Sequence, residues 1–119
     1  MAGTRWIRLD VDYFTNPKTM SAGKDGRLLH LASICWVGQH LTDGHIPGDV
    51  APILCRLAGV SQRAIHQTVN AGLWLPTEAD YYIHDYLEHN SSRGDVERER
   101  ESWRLRQKRR RNPTNGQFQ

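Results

Sequence analysis

The 119-residue sequence predicts a mostly α-helical fold with one small β-hairpin, closed by a basic C-terminal helix or tail. Three observations predict it. Apolar residues recur at helical spacing in three segments, and only Gly59, Val60 and Ser61 separate the second from the third. Two short extended runs follow the third segment immediately. Beyond residue 90 the apolar pattern fades and the charge changes sign.

Taken in order, "WIRLDVDYF" alternates apolar Trp6, Leu9 and Val11 imperfectly with charge and reads as a short strand or extended lead-in, which Asn16-Pro17 breaks. Leu28, Leu29, Leu31, Ala32, Cys35, Trp36 and Leu41 then mark a helix over about residues 24–40 with a broad buried stripe. Asp43-Gly44 supplies a turn, and Ile46-Pro47 can serve only as an edge piece. Asp49 suits the N-cap of a second helix that tolerates Pro52 in its first turn. It would turn Val50, Ile53, Leu54 and Leu57 inward and stop at Gly59. Ser61 is the expected N-cap of a third helix, residues 61–71, ended by Gly72. Residues 73–75 and 81–85 form the arms of a hairpin around Pro76, Glu78 and Asp80. This order is the plan of a winged helix-turn-helix, with the hairpin as the wing.

Net charge is +3, unevenly spread. Residues 1–90 hold seven Lys/Arg against nine Asp/Glu, and residues 91–119 hold nine against four. An acidic domain carrying a basic arm points to a polyanionic partner. The expected division is a domain over residues 5–90, a charged helix over 91–111 and a disordered tail over 112–119. Within the arm, Ser92 and Asp95 form a weak capping box. Acids precede bases along it, the order that complements a helix dipole. Only Val96, Trp103 and Leu105 can pack, so the helix should be marginal and order on contact with a partner.

Several classes of function fall away. No apolar run approaches the ~18 residues of a membrane span, and the N-terminal residues lack a signal-peptide layout, so a cytoplasmic location is expected. Cys35 and Cys55 read as buried small hydrophobes. His40/His45 and His84/His89 have zinc-compatible spacing, yet no C-x-x-C completes either pair, so no metal or cofactor is expected. Asp10 and Asp12 lie two apart in a strand-like run and in principle suit Mg²⁺. Nothing completes a catalytic constellation around them, and no enzyme is expected. Trp6, Trp36, Trp74, Tyr81, Tyr82 and Tyr86 fit core packing better than base stacking, whereas Trp103 has no packing site within the arm.

The third helix carries the sharpest functional signal. Ile65 and Val69 would face the core and Ala64 and Ala71 would pack closely, leaving Ser61, Gln62, Arg63, His66, Gln67 and Asn70 as the outer set. Arg matches guanine, and Gln or Asn matches adenine, through forked donors and acceptors. A helix-turn-helix directs the start of this helix into the major groove, with Ser61 and the first amides on a phosphate. The stripe alone also fits an ordinary solvated face; the surrounding plan favours double-stranded DNA. In "RLRQKRRR", Arg104, Arg106, Lys108, Arg109, Arg110 and Arg111 can neutralise phosphates, adding affinity rather than sequence choice. The alternative is a protein-interaction module that docks a partner protein through the domain and the arm.

"WIRLDVDYFTNPK", "LTDGHIP", "VNAGLW" and "YYIHDYLEHNSSRGDVERERES" together resemble the N-terminal winged-helix domains of phage and prophage replisome organisers and replication initiators, mostly of actinobacterial hosts, over about residues 5–111. The resemblance implies a recognition helix at residues 61–71 and a wing at 73–85. It also implies DNA binding in replication initiation or transcription regulation, with host replication proteins and a second copy of the chain as further partners. Longer members continue into a second domain; here the sequence runs only through the basic segment, which favours a DNA-binding or regulatory role over helicase loading.

Overall fold

The computed structural model describes residues 5–89 and 93–111. Helix α1 (Pro17–His40) is followed by β1 (His45–Ile46), α2 (Ala51–Ala58), α3 (Arg63–Asn70), β2 (Trp74–Pro76), β3 (Tyr81–Ile83), the single turn α4 (Tyr86–His89) and α5 (Arg93–Arg111). The strands form an antiparallel sheet in the order β1-β3-β2, with Trp74 opposite Ile83 and Ile46 opposite Tyr81. Helices precede a small sheet and a C-terminal helix follows it, a winged-helix-like arrangement.

The lead-in forms no strand: it is irregular to residue 10 and turns at residues 11–15. The Asp12 amide bonds the Asp10 carboxylate at 2.9 Å, which removes the strand register that would have aligned the two acids. Asn16 caps α1 by accepting from the Lys18 amide, with Pro17 in the first turn. The helix therefore starts seven residues before the expected position. It kinks at Gly23, whose φ of 74° is open to glycine at little cost, and that glycine hid the first turns from a periodicity search.

The phase of α1 also differs from expectation. Its buried residues are Thr19, Ala22, Gly26, Leu29, His30, Ser33, Ile34, Val37 and Gly38, whereas Leu28 and Cys35 are exposed and Leu31, Ala32 and Trp36 half-buried. The buried face holds three polar side chains because each has a partner, Thr19 through the Tyr13 and Asn16 carbonyls. The Trp74 indole N–H donates to Ser33 Oγ at 3.0 Å, and the Ser33 hydroxyl donates to the His30 carbonyl at 2.7 Å. The Tyr13 hydroxyl lies 2.7 Å from His30 Nδ1. Gly26 brings α1 against α3: a Cβ there would stand 3.2 Å from that of Gln67.

Helix α2 is likewise rotated from its expected phase. Ala51, Leu54 and Cys55 are buried, while Ile53 and Leu57 are exposed, because two small residues let this two-turn helix approach α1 closely. Asp49 does not cap it; the chain enters through a turn closed by the Val50 amide on the Pro47 carbonyl, and Val50 is already helical at φ −84°, ψ −27°. Cys55 matches its buried reading, with burial pushing its thiol pKa up, and Cys35 does not. Among the aromatics, Trp74 and Tyr86 are core and Tyr81 and Trp36 pack against it, but Trp6 is 88% exposed and Tyr82 is exposed as well.

Helix α5 is continuous, and the molecule measures 65 × 30 × 24 Å. Asp43 Oδ1 accepts the Arg93 amide at 2.6 Å at the start of α5, and Val96 is buried. Arg93–Glu97 (3.0 Å), Arg98–Asp95 and Arg104–Glu101 link successive turns, exposed pairs worth a few tenths of a kcal/mol each. The Ser92 cap and the 112–119 tail lie outside the described residues. Among the described residues no helix is long and apolar enough to cross a membrane.

Two predictions follow from the buried polar set. Ser33→Ala strands the Trp74 N–H in the core and should lower unfolding free energy by about 1–3 kcal/mol in urea titration. Burial lowers the His30 pKa from 6.5 to about 4, so the folded protein keeps this ring neutral while the unfolded chain takes up a proton. The stabilisation is complete above pH 6.5 and is lost as pH falls from 6.5 to about 4. At 1.36 kcal/mol per unit the loss should reach about 3 kcal/mol. Urea midpoints should decline across that window in the native protein and flatten in His30→Gln.

Candidate nucleic-acid interface

The turn between α2 and α3 is built on Gly59, in the left-handed region at φ 77°. Its amide and that of Val60 return to the Arg56 and Cys55 carbonyls, at 3.2 and 2.9 Å, closing α2 in the manner of a Schellman motif. Val60 packs against the core and fixes the direction in which the chain leaves.

Ser61 and Gln62 lie in this turn, and α3 begins at Arg63. The Ser61 side chain does not cap the helix. The Ala64 amide bonds the Ser61 carbonyl and the Ile65 amide the Gln62 carbonyl, both at 3.1 Å, a tight 3₁₀-type entry. Gln62, at the start of the helix, is already helical at φ −68°, ψ −11° and makes no side-chain cap bond.

The anchor of α3 is Ala64 and Thr68, both wholly buried, with Ile65 and Val69 only partly so. Thr68 escaped the sequence reading because it counts as polar; its hydroxyl is satisfied by the Ile65 carbonyl at 2.8 Å, so it packs as a small β-branched residue. Opposite this anchor, Arg63, His66, Gln67 and Asn70 are exposed along one side of the helix, as are Ser61 and Gln62 in the turn. Gln67 is the member nearest α1, through its contact with Gly26.

The wing lies beside this helix and is held rigidly. Asp80 Oδ1 accepts the Gly48 amide at 2.8 Å, and Oδ2 meets His45 Nε2 at 2.9 Å. These bonds, the one to His45 foremost, hold the Asp80 carboxyl below the usual carboxylate range. Gly48 must be glycine, since a Cβ would fall 2.1 Å from the Ala79 carbonyl oxygen. Residues 73–85 contain no Lys or Arg and carry Glu78, Asp80 and Asp85.

Two cations near the helix-turn-helix were not singled out by the sequence. Arg56 is exposed in the last turn of α2. The Lys18 side chain reaches the end of α3, its Cε 3.7 Å from where a Cβ on Gly72 would stand. Neither has a local sequence signal, because both positions depend on how α1 and α2 cross the third helix. In the arm, Arg104 is engaged by Glu101, and Arg106, Lys108 and Arg109 are exposed. The side chains of Arg110 and Arg111 lie outside the described residues.

Comparison with family models, with curated proteins and with solved structures yields no match. Among the described residues no three His, Cys, Asp or Glu side chains converge as a metal site would require.

Exposure of the α3 stripe implies that the fold does not need it. Arg63→Ala, His66→Ala and Asn70→Ala should each change unfolding free energy by no more than about 0.5 kcal/mol, whereas Thr68→Leu, forced into full burial, should cost about 1–3 kcal/mol. Thermal melts of the four variants check this contrast.

Proposed function

We propose that this chain binds double-stranded DNA, with α3 in the major groove and the basic half of α5 on the phosphate backbone. One observation carries the reading. Helix α3 is anchored by Ala64 and Thr68 alone in its buried class, and the residues it leaves exposed are those that hydrogen-bond base edges. An acidic wing contributes no charge attraction to phosphates, so affinity falls to Arg63, the arm and the α1 and α2 cations. The biological setting, phage replication initiation or its regulation, rests on the resemblance to replisome organisers.

Anisotropy titrations with phage-type duplex DNA at several salt concentrations test this. Affinity should fall steeply with salt. Replacing Arg106, Lys108 and Arg109 together by Gln should reduce the salt slope by about 3, close to one per lost phosphate contact. Arg63→Ala with Gln67→Ala should erase the preference for cognate over scrambled duplex, about 1–3 kcal/mol for each base pairing lost. Failure to bind any duplex at low salt sinks the reading.

Exposed apolar side chains favour a second reading, a module that docks a host replication or transcription protein. Leu57 on α2 is 71% exposed and Trp103 on α5 is 46% exposed. This reading gains if DNA binding fails while Leu57→Ser and Trp103→Ser abolish association with a host replication protein.

A further inference from the structure

Behind the wing, the lead-in, α1 and the chain leaving β3 enclose a cleft of about 170 Å³. That is more than ten times the ~10–15 Å³ needed to hold one water. It is also well below the ~300–1,000 Å³ of pockets for drug-sized ligands. The size selects a molecule no larger than an amino acid.

Its lining has three chemically distinct parts. Ile34, Leu73, Ile83 and Tyr86, all nearly buried, give an apolar wall. Deep in the cleft stands His30, only 7% exposed, whose Nδ1 is taken by the Tyr13 hydroxyl. Its Nε2 has no partner among the described residues, and an unpaired polar atom at this depth is costly unless something fills it.

The rim presents both signs of charge around one histidine. Asp85 Oδ2 lies 2.8 Å from His84 Nδ1. Lys18 Nζ is 3.4 Å from that same nitrogen, which cannot accept from it while donating to Asp85. The ammonium and the carboxylate therefore stand within about 6 Å of each other without forming an ion pair. That gap suits a bridging zwitterion, with a carboxylate on Lys18 and an ammonium on the remaining Asp85 oxygen.

We propose that this cleft binds a free aromatic α-amino acid whose ring carries a polar atom, as in tryptophan or tyrosine. The main-chain groups span Lys18 and Asp85, the ring lies on the apolar wall, and its polar atom pairs with His30 Nε2. This site is separate from the exposed α3 stripe and shares only Lys18 with the proposed DNA face, and the test reads it without DNA.

The test is a ¹H–¹⁵N correlation titration of the full chain with L-tryptophan and, in parallel, L-tyrosine. At least one should bind saturably, with shifts centred on Lys18, His30, Leu73 and His84. For tryptophan, tryptamine lacks the carboxylate and indole-3-propionate lacks the ammonium; for tyrosine, tyramine and 3-(4-hydroxyphenyl)propionate are the counterparts. Each should bind at least about tenfold more weakly, the loss of one charge-assisted hydrogen bond. Lys18→Ala, an exposed substitution, should weaken binding by a similar factor, as should Asp85→Asn, which retains a residue tolerant of the φ of 59° there. The proposal is overturned if neither amino acid produces saturable shifts at millimolar concentration, if the one-charge analogues bind equally well, or if Lys18→Ala leaves affinity unchanged.

Discussion

The hydrogen bond from the Trp74 indole to Ser33 Oγ organises this molecule. Trp74 is the largest fully buried side chain, and it opens the wing strand that follows α3. An indole buried this deeply brings a large apolar gain only if its N–H finds an acceptor. Ser33 supplies it, and its own proton passes to the His30 carbonyl. The pair fixes the rotation of α1, because the face that presents Ser33 also presents Leu29, His30 and Val37. With that rotation set, Gly26 meets α3 at Gln67, and the recognition-like stripe points outward.

The wing depends on a second constraint at its far end. Asp80 bridges His45 on β1 and the Gly48 amide at the approach to α2, so the hairpin is tied to the strand beside it and to the helix-turn-helix behind it. A hairpin with strands of three residues would have little stability alone. Here the carboxylate and the buried Trp74 hold it from opposite ends. The rigidity comes with an acidic surface, because the residue that pins the loop is itself anionic.

Order and type of the main elements were legible in the sequence, from the Gly59 turn, the Pro76 loop and the apolar periodicity. Phase within each helix was much less so. Counting apolar residues placed Leu28, Cys35, Ile53 and Leu57 inward, whereas the buried faces use Ser33, His30, Gly26, Ala51 and Thr68. These residues are polar or small, and each is buried for a reason outside its own segment: an indole 41 positions away, a tyrosine in the lead-in, or a helix pressing close. The caps failed similarly. Asp49 and Ser61 carry the right side chains, but both helices are entered through backbone-closed turns without a side-chain cap bond. The exposed stripe on α3 was legible because it is local; Lys18 was not, because it arrives from another helix.

Charge and rigidity together constrain how a polyanion can approach. A wing that carries Glu78, Asp80 and Asp85 with no Lys or Arg repels phosphates, and Asp80 ties it to His45 and the Gly48 amide. Approach from the wing side is therefore disfavoured. The α3 stripe offers Arg63 within a face of neutral hydrogen-bonding groups, suited to base edges more than to a phosphate track. On the DNA-binding reading, backbone attraction comes from elsewhere, chiefly from the second half of α5, where Arg106, Lys108 and Arg109 are exposed. On the DNA-binding reading, reading and gripping are separated onto two elements, and the wing becomes a structural brace for α3 instead of a second contact.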